Sequence, residues 1–278
     1  MKYFQCGRYR FVLDGEQSRP LVMGILNVTP DSFSDGGRYD SVPAAISHAE
    51  AMIREGVDII DIGAESSRPG AAAVSLQEEL DRIMPVIMAL KDCGKPLSVD
   101  TYKPEVMAQA LASGADMIND ICGFTSEESL KAVAAHDCGL CVMHMQGEPG
   151  TMQNDPHYDD VVVDVSDFLE RQVTRLVSAG VVHNRICIDP GFGFGKTLDD
   201  NLTLLRKLDV VCKRLDLPVL AGLSRKSVVG ALTGKPVGER LAGNLAIALS
   251  AVSHGASIVR VHEVGETVDA LKVWQATQ

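Results

Sequence analysis

Arg260 and His262 stand two residues apart in the run IVRVHE, so in an extended strand both side chains point to one face. Two potential cations on one face suit a phosphate or pyrophosphate, though an arginine there equally serves a neighbouring carboxylate. Asp100 and Asp189 each close a short apolar run, and a carboxylate buried there needs a charged or hydrogen-bonding partner because its desolvation is expensive. Lys226, in GLSRKS, supplies that partner if the extended backbone of Gly222, Ser224 and Lys226 continues to one face. With the amide of Asn119, this makes two acids, two bases and a neutral donor-acceptor, more than a structural ion pair requires.

Other residues qualify this picture. The stretch from Asp189 to Thr197, DPGFGFGKT, resembles a nucleotide phosphate loop but has Pro190 where that pattern needs its first glycine. Its glycines instead let the backbone pass tightly over a rim, with Phe192 and Phe194 as apolar walls. Asn27 precedes a turn-rich segment, TPDSFSDGG, and a second such segment, SSRPG, spans 66–70. Both read as mobile lids, and Phe33 and Arg68 within them suit ligand contact. A neutral oxygen from Asn27 beside an anion site fits Mg²⁺ shared with phosphate oxygens, and fits a purely structural amide equally well. Met143 faces the pocket side of its strand. His144 faces away and reads as a structural histidine, and Trp274 as packing in the last helix.

These residues need elements to hold them. Apolar runs at 21–28, 59–64, 96–100, 117–121, 140–145, 186–191, 218–224 and 258–263 are each followed by an Ala/Leu/Glu-rich stretch of helical period. Polar residues end all eight runs, including Glu65 after the second, and only a closed barrel brings eight strand ends around one mouth. The predicted fold is a single (β/α)8 TIM barrel over 21–278, with an N-terminal extension at 1–20 whose residues 3–14 form a short hairpin.

Composition agrees. In 278 residues, 46% are hydrophobic and 23% charged, the balance of a folded globular chain. The net charge of −11 argues against nucleic-acid and anionic-membrane surfaces. Seven scattered cysteines, odd in number, fit buried thiols in a reducing cytoplasm rather than a disulfide framework, and Cys138 and Cys141 have redox spacing but lead into a strand. Arg8 and Arg10 interrupt the place where a signal core would lie, and a cytoplasmic chain with no membrane span is expected.

The motifs together resemble the dihydropteroate synthases, the folate-pathway family that sulfonamides inhibit. The resemblance rests on MGILNVTPDSFSDGG (23–37), ESSRPGA (65–71), SVD (98–100), NDI (119–121), VMHMQG (142–147), DPGFGFGK (189–196), LSRKS (223–227) and RVHE (260–263). Ser67 and Ala64 stand where that family more usually has Thr and Gly, which alters the second lid but keeps the hydroxyl. The resemblance implies condensation of 6-hydroxymethyl-7,8-dihydropterin pyrophosphate with 4-aminobenzoate by a dissociative route, in a homodimer. Asp100, Asn119, Met143, Asp189, Phe194 and Lys226 would hold the pterin. Asn27, Ser67, Arg68, Arg260 and His262 would hold the pyrophosphate, with Mg²⁺ on Asn27. Phe33, Pro69, Phe194, Lys226 and Ser227 would hold 4-aminobenzoate, and Asp35 would stabilise the cation, so that Asp35, Asp100 and Lys226 carry the catalysis. A pterin-dependent methyltransferase barrel would lack both lid motifs and LSRKS. A non-catalytic pterin-binding barrel would lose Arg260 and His262, and a phosphorylated-sugar barrel leaves the paired acids unexplained.

The lid segments generate a test of binding order. They hold little apolar surface, so a 4-aminobenzoate pocket completed by Phe33 and Pro69 should form only over bound pyrophosphate. Calorimetric titration of 4-aminobenzoate or a sulfonamide should therefore show weak binding to the free protein and strong binding with pterin, pyrophosphate and Mg²⁺ present. Equal affinities in the two titrations would mean the pocket is preformed.

Overall fold

A computed structural model describes residues 2–15, 18–29, 37–65, 73–148 and 150–277, with the backbone alone for 37–41. Strands β1 (Tyr3–Cys6) and β2 (Tyr9–Val12) pair antiparallel as the expected hairpin. Eight parallel strands follow: β3 (Leu21–Asn27), β4 (Ile59–Gly63), β5 (Leu97–Asp100), β6 (Met117–Asp120), β7 (Gly139–Met143), β8 (Ile186–Asp189), β9 (Leu220–Ala221) and β10 (Ile258–Val261). Each lies beside its sequence neighbour except that β3 also pairs with β10, and a bridge between Ile188 and Val219 joins β8 to the residue before β9, closing the barrel.

Among the described residues, ten α-helices complete the units: α1 (Gly37–Glu55), α2 (Leu76–Leu90), α3 (Pro104–Ala112), α4 (Glu127–Ala134), α5 (Val161–Ser178), α6 (Leu198–Arg206), α7 (Leu208–Leu215), α8 (Ser227–Thr233), α9 (Leu241–Ser253) and α10 (Val264–Ala276). The strands are apolar on both faces because helices cover the outside and side chains fill the inside. Outward residues such as Val22, Ile60, Val99, Ile118, Val142, Ile188 and Val259 join the helices in one large core. Inward residues Leu21, Met23, Ile59, Met117, Cys141, Cys187, Leu220 and Ile258 form a second cluster with Phe4 and Cys6 of the hairpin. The hairpin thus stoppers the N-terminal end of the barrel. A Cβ on Gly139 would lie 3.1 Å from the Phe4 ring, which shows how closely the hairpin sits against β7.

Two details differ from the sequence reading. The run 218–224 yields only two strand residues, because Pro218 has no N–H to give a ladder and the chain leaves the sheet at Gly222. It then turns at Arg225, whose φ is +60°, so Lys226 reaches the mouth by a turn and not along an extended strand. Phe192 is fully buried in the outer core and is no wall of the mouth, whereas Phe194 is. All seven cysteines are free thiols, as expected.

Truncating Phe4 tests the stopper. Phe4→Ala should cost about 3 kcal/mol in urea-induced unfolding, as for other large-to-small core changes. A loss below about 1 kcal/mol would show that the hairpin is not packed into the barrel in solution.

Candidate active site

Strand register sets the site. Asn27 lies opposite Gly63, Gly63 opposite Asp100, and Asp100 opposite Asn119, so four neighbouring strands present one row of inward positions at their carboxyl ends. Along β7 and β8 the register carries that row to Cys141 and Cys187, and Met143 and Asp189 pair one inward position above it. Arg260 enters from β10 beside them.

The ion pairs follow a different pattern from the one expected. Arg260 donates from Nε to Asp61 Oδ2 at 2.6 Å and from Nη2 to Asp100 Oδ2 at 2.7 Å, so Asp100 is paired with Arg260 and not with Lys226. Burial pushes the Asp100 carboxyl up to about 7, with Arg260 pulling it down and the nearby Asp61 adding to the rise. Asp189 is almost wholly buried and accepts from the Gly191 N–H at 2.7 Å; burial raises its pKa while Lys226 opposes the rise. Lys226 donates to the Phe192 carbonyl and sets its ammonium 4.5 Å from the centre of the Phe194 ring. Burial lowers its pKa to about 8, and Asp189 holds it up.

A small apolar cluster of Ile121, Met143, Met152 and Phe194, separate from both larger cores, flanks these charges. The sequence placed Met143 and Phe194 there, and the structure brings them together. His262 bonds through Nδ1 to Ser224 Oγ at 3.0 Å, and Ser227 is exposed at the start of α8. Phe33, Asp35, Ser67, Arg68 and Pro69 lie outside the described residues. Glu65, expected at the mouth, is taken up by Tyr102 and Lys103, the latter also paired with Glu79.

Sequence reasoning missed several residues that hold the site. Asp61 is fully buried under Arg260 and also accepts from Asn119 Nδ2 at 3.3 Å. Its place inside IIDIG, at an inward position of an otherwise apolar strand, was the available signal. Lys196 is buried, and its three ammonium protons meet His144 Nδ1 at 3.0 Å, the Gly191 carbonyl at 2.9 Å and the Phe194 carbonyl at 3.1 Å. Burial and Lys196 drive the His144 pKa down to about 2, so the imidazole is neutral and accepts, which makes it the structural histidine expected. This contact ties the end of β7 to the loop that carries Phe194. Gly191, at φ +70°, lets that loop pass: a Cβ there would lie 1.8 Å from the His144 carbonyl oxygen. Glu263 accepts from Ser224, Arg225 and Asn244, and Arg240 donates to the carbonyls of Arg225 and Lys226, fixing the turn that delivers Lys226.

The fold and site therefore define a barrel enzyme that receives a polar, donor-rich ring and an anionic group at one mouth. Residues 23–262 match the pterin binding enzyme family. A dihydropteroate synthase of Escherichia coli is 49% identical over 94% of this chain and 92% of its own. The solved dihydropteroate synthase of Burkholderia cenocepacia, complexed with 7,8-dihydropteroate, is 51% identical, covers 99% of this chain and 96% of its own, and superposes with a TM-score of 0.88. That of Xanthomonas albilineans, with 4-aminobenzoic acid, is 49% identical over 99% of this chain and 98% of its own, with a TM-score of 0.92. The chain belongs to the dihydropteroate synthase family of pterin-binding barrels.

The charge on Lys226 yields a pH test. An ammonium with a pKa near 8 is lost as pH rises past 8, so pterin affinity should fall on that alkaline limb. Lys226→Gln should bind pterin weakly at every pH and lack the limb. A limb unchanged in the variant would assign it to another group.

Proposed function

We propose that this chain joins 6-hydroxymethyl-7,8-dihydropterin pyrophosphate to 4-aminobenzoate, giving 7,8-dihydropteroate and pyrophosphate. The observation that carries this reading is the single mouth in which Asp100, Asn119 and Asp189 meet Arg260 and Lys226 beside an apolar wall. The amino-pyrimidinone edge of a pterin is a fork of N–H donors, and Asp189 can accept two of them while Asp100 and Asn119 meet other ring positions. Lys226 donates to the ring carbonyl and nitrogen, and Met143 and Phe194 cover the ring face.

The carbon–oxygen bond to pyrophosphate breaks first, both electrons leaving with the oxygen, and the 4-aminobenzoate nitrogen then attacks the pterin methylene cation and gives up a proton. No side-chain nucleophile is needed. The protein's work is to stabilise the leaving charge through Arg260 and His262, to hold the ring and to keep water from the cation. Asn27, at the mouth beside Gly63, offers one neutral oxygen, a donor suited to a Mg²⁺ held mainly by phosphate oxygens. When bound, that ion would neutralise charge on the departing pyrophosphate. Ser227, with the Lys226 stem and Phe194, is the described part of the 4-aminobenzoate subsite, which Phe33 and Pro69 would complete. Arg68, Ser67 and Asp35 join the same scheme from the lid segments, against the pyrophosphate and the cation. Sulfonamides, as mimics of 4-aminobenzoate, would compete there. The homodimer expected from the family resemblance belongs to this same reading.

Purified protein incubated with pterin pyrophosphate, 4-aminobenzoate and Mg²⁺ should release dihydropteroate and pyrophosphate in equal amounts. Substrate binding without turnover at any metal concentration would instead identify a non-catalytic pterin-binding barrel.

A further inference from the structure

The Arg260 guanidinium is held by two carboxylates that differ in what else can reach them. Asp61 is wholly buried, sits opposite Ser98 one inward position below the mouth row, and takes the Nε proton. Asp100 is in the mouth row opposite Asn119, its side chain 18% exposed, and takes an Nη2 proton. One carboxylate already neutralises the arginine. A second, placed deeper with no hydrogen-bond partner for its Oδ1 among the described residues, adds desolvation cost without adding needed charge, which points to a role beyond pairing.

We propose that Asp61 is a positioning residue on which Arg260 pivots, so that arriving pyrophosphate takes the guanidinium from Asp100 and frees Asp100 for the pterin. This rests on the proposed synthase reading and assigns its site an internal coupling. Only the Asp100 contact lies where a ligand can compete for it, and the Nε bond to Asp61 keeps the guanidinium in place as its Nη edge changes partner. The same Asp61 Oδ2 accepts from Asn119, so the deep carboxylate holds one residue from each half of the substrate site. With Arg260 on Asp100, a pterin lacking pyrophosphate must displace the guanidinium unaided. Pterin and pyrophosphate should therefore each strengthen the binding of the other by the same factor.

The test is titration of 6-hydroxymethylpterin into the full chain, with and without pyrophosphate and Mg²⁺. In the unaltered protein pyrophosphate should raise pterin affinity on the order of tenfold. Asp61→Asn, near-isosteric, should bring that factor close to one, with a lower kcat and a higher KM for pterin pyrophosphate, and Arg260→Lys, which cannot reach both carboxylates with a planar fork, should also lose it. Coupling retained in Asp61→Asn would remove Asp61 as the pivot. Absence of coupling in the unaltered protein, both ligands binding, would overturn the exchange itself even if Asp61→Asn failed to fold. Failure of either ligand to bind the unaltered protein at all would instead overturn the synthase reading on which the exchange rests.

Discussion

Burying three carboxylates at the end of a barrel is the constraint to which the other features answer. Asp61, Asp100 and Asp189 sit together where water is largely excluded, and two cations, Arg260 and Lys226, meet them. Such a cluster costs several kcal/mol per ion unless its geometry is fixed. The barrel fixes it by register: Arg260 on β10 reaches Asp61 on β4 and Asp100 on β5 because all three face inward at neighbouring heights. Lys226 is fixed differently, through a turn whose carbonyls Arg240 grips and whose neighbours Glu263 binds. The cost is borne by an extensive apolar core on the outside of the sheet and by the Phe4 stopper below.

The fold was legible because its signals are periodic. Eight apolar runs alternating with helical stretches specify eight βα units, and polar residues at the end of each run select closure over an open sheet. The candidate site was legible where chemistry broke that pattern: Asp100, Asn119, Asp189, Arg260 and His262 interrupt apolar strands, and Met143 follows from alternation. Asp61 breaks the pattern in the same way, but it lies in mid-strand, where ends of runs do not draw attention.

What the sequence could not show is partner choice. Lys226 and Arg260 are both cations near two acids, and spacing does not say which meets which. The answer depends on the Arg225 turn, a left-handed residue that no propensity rule assigns to arginine. Lys196 is a similar case. Next to a glycine-rich loop it invites comparison with a phosphate-binding lysine, yet its three protons are consumed within the protein, where they join His144 to the loop and so set the spacing between Met143 and Phe194. The segments 30–36 and 66–72 carry the remaining assigned residues on composition and resemblance.

Two glycines show how a charged cluster that must be stable can still be available to a ligand. A Cβ on Gly63 would lie 3.5 Å from Asp100 Cβ, and one on Gly222 would lie 3.7 Å from Asp189 Oδ2 and 3.8 Å from Lys226 Nζ. These are ordinary contact distances, so the Cβ of an alanine would fit at either place without a clash. The space matters for another reason: any side chain there would cover a carboxylate or the ammonium and satisfy it with protein atoms or apolar surface. With glycine, burial raises the energy of the charges while one side of each is left for a partner from outside. A ligand that brings donors to Asp189 and an acceptor to Lys226 then completes interactions that the protein's own atoms leave unfinished. That is how a strained electrostatic arrangement becomes a binding site in place of a defect in the core.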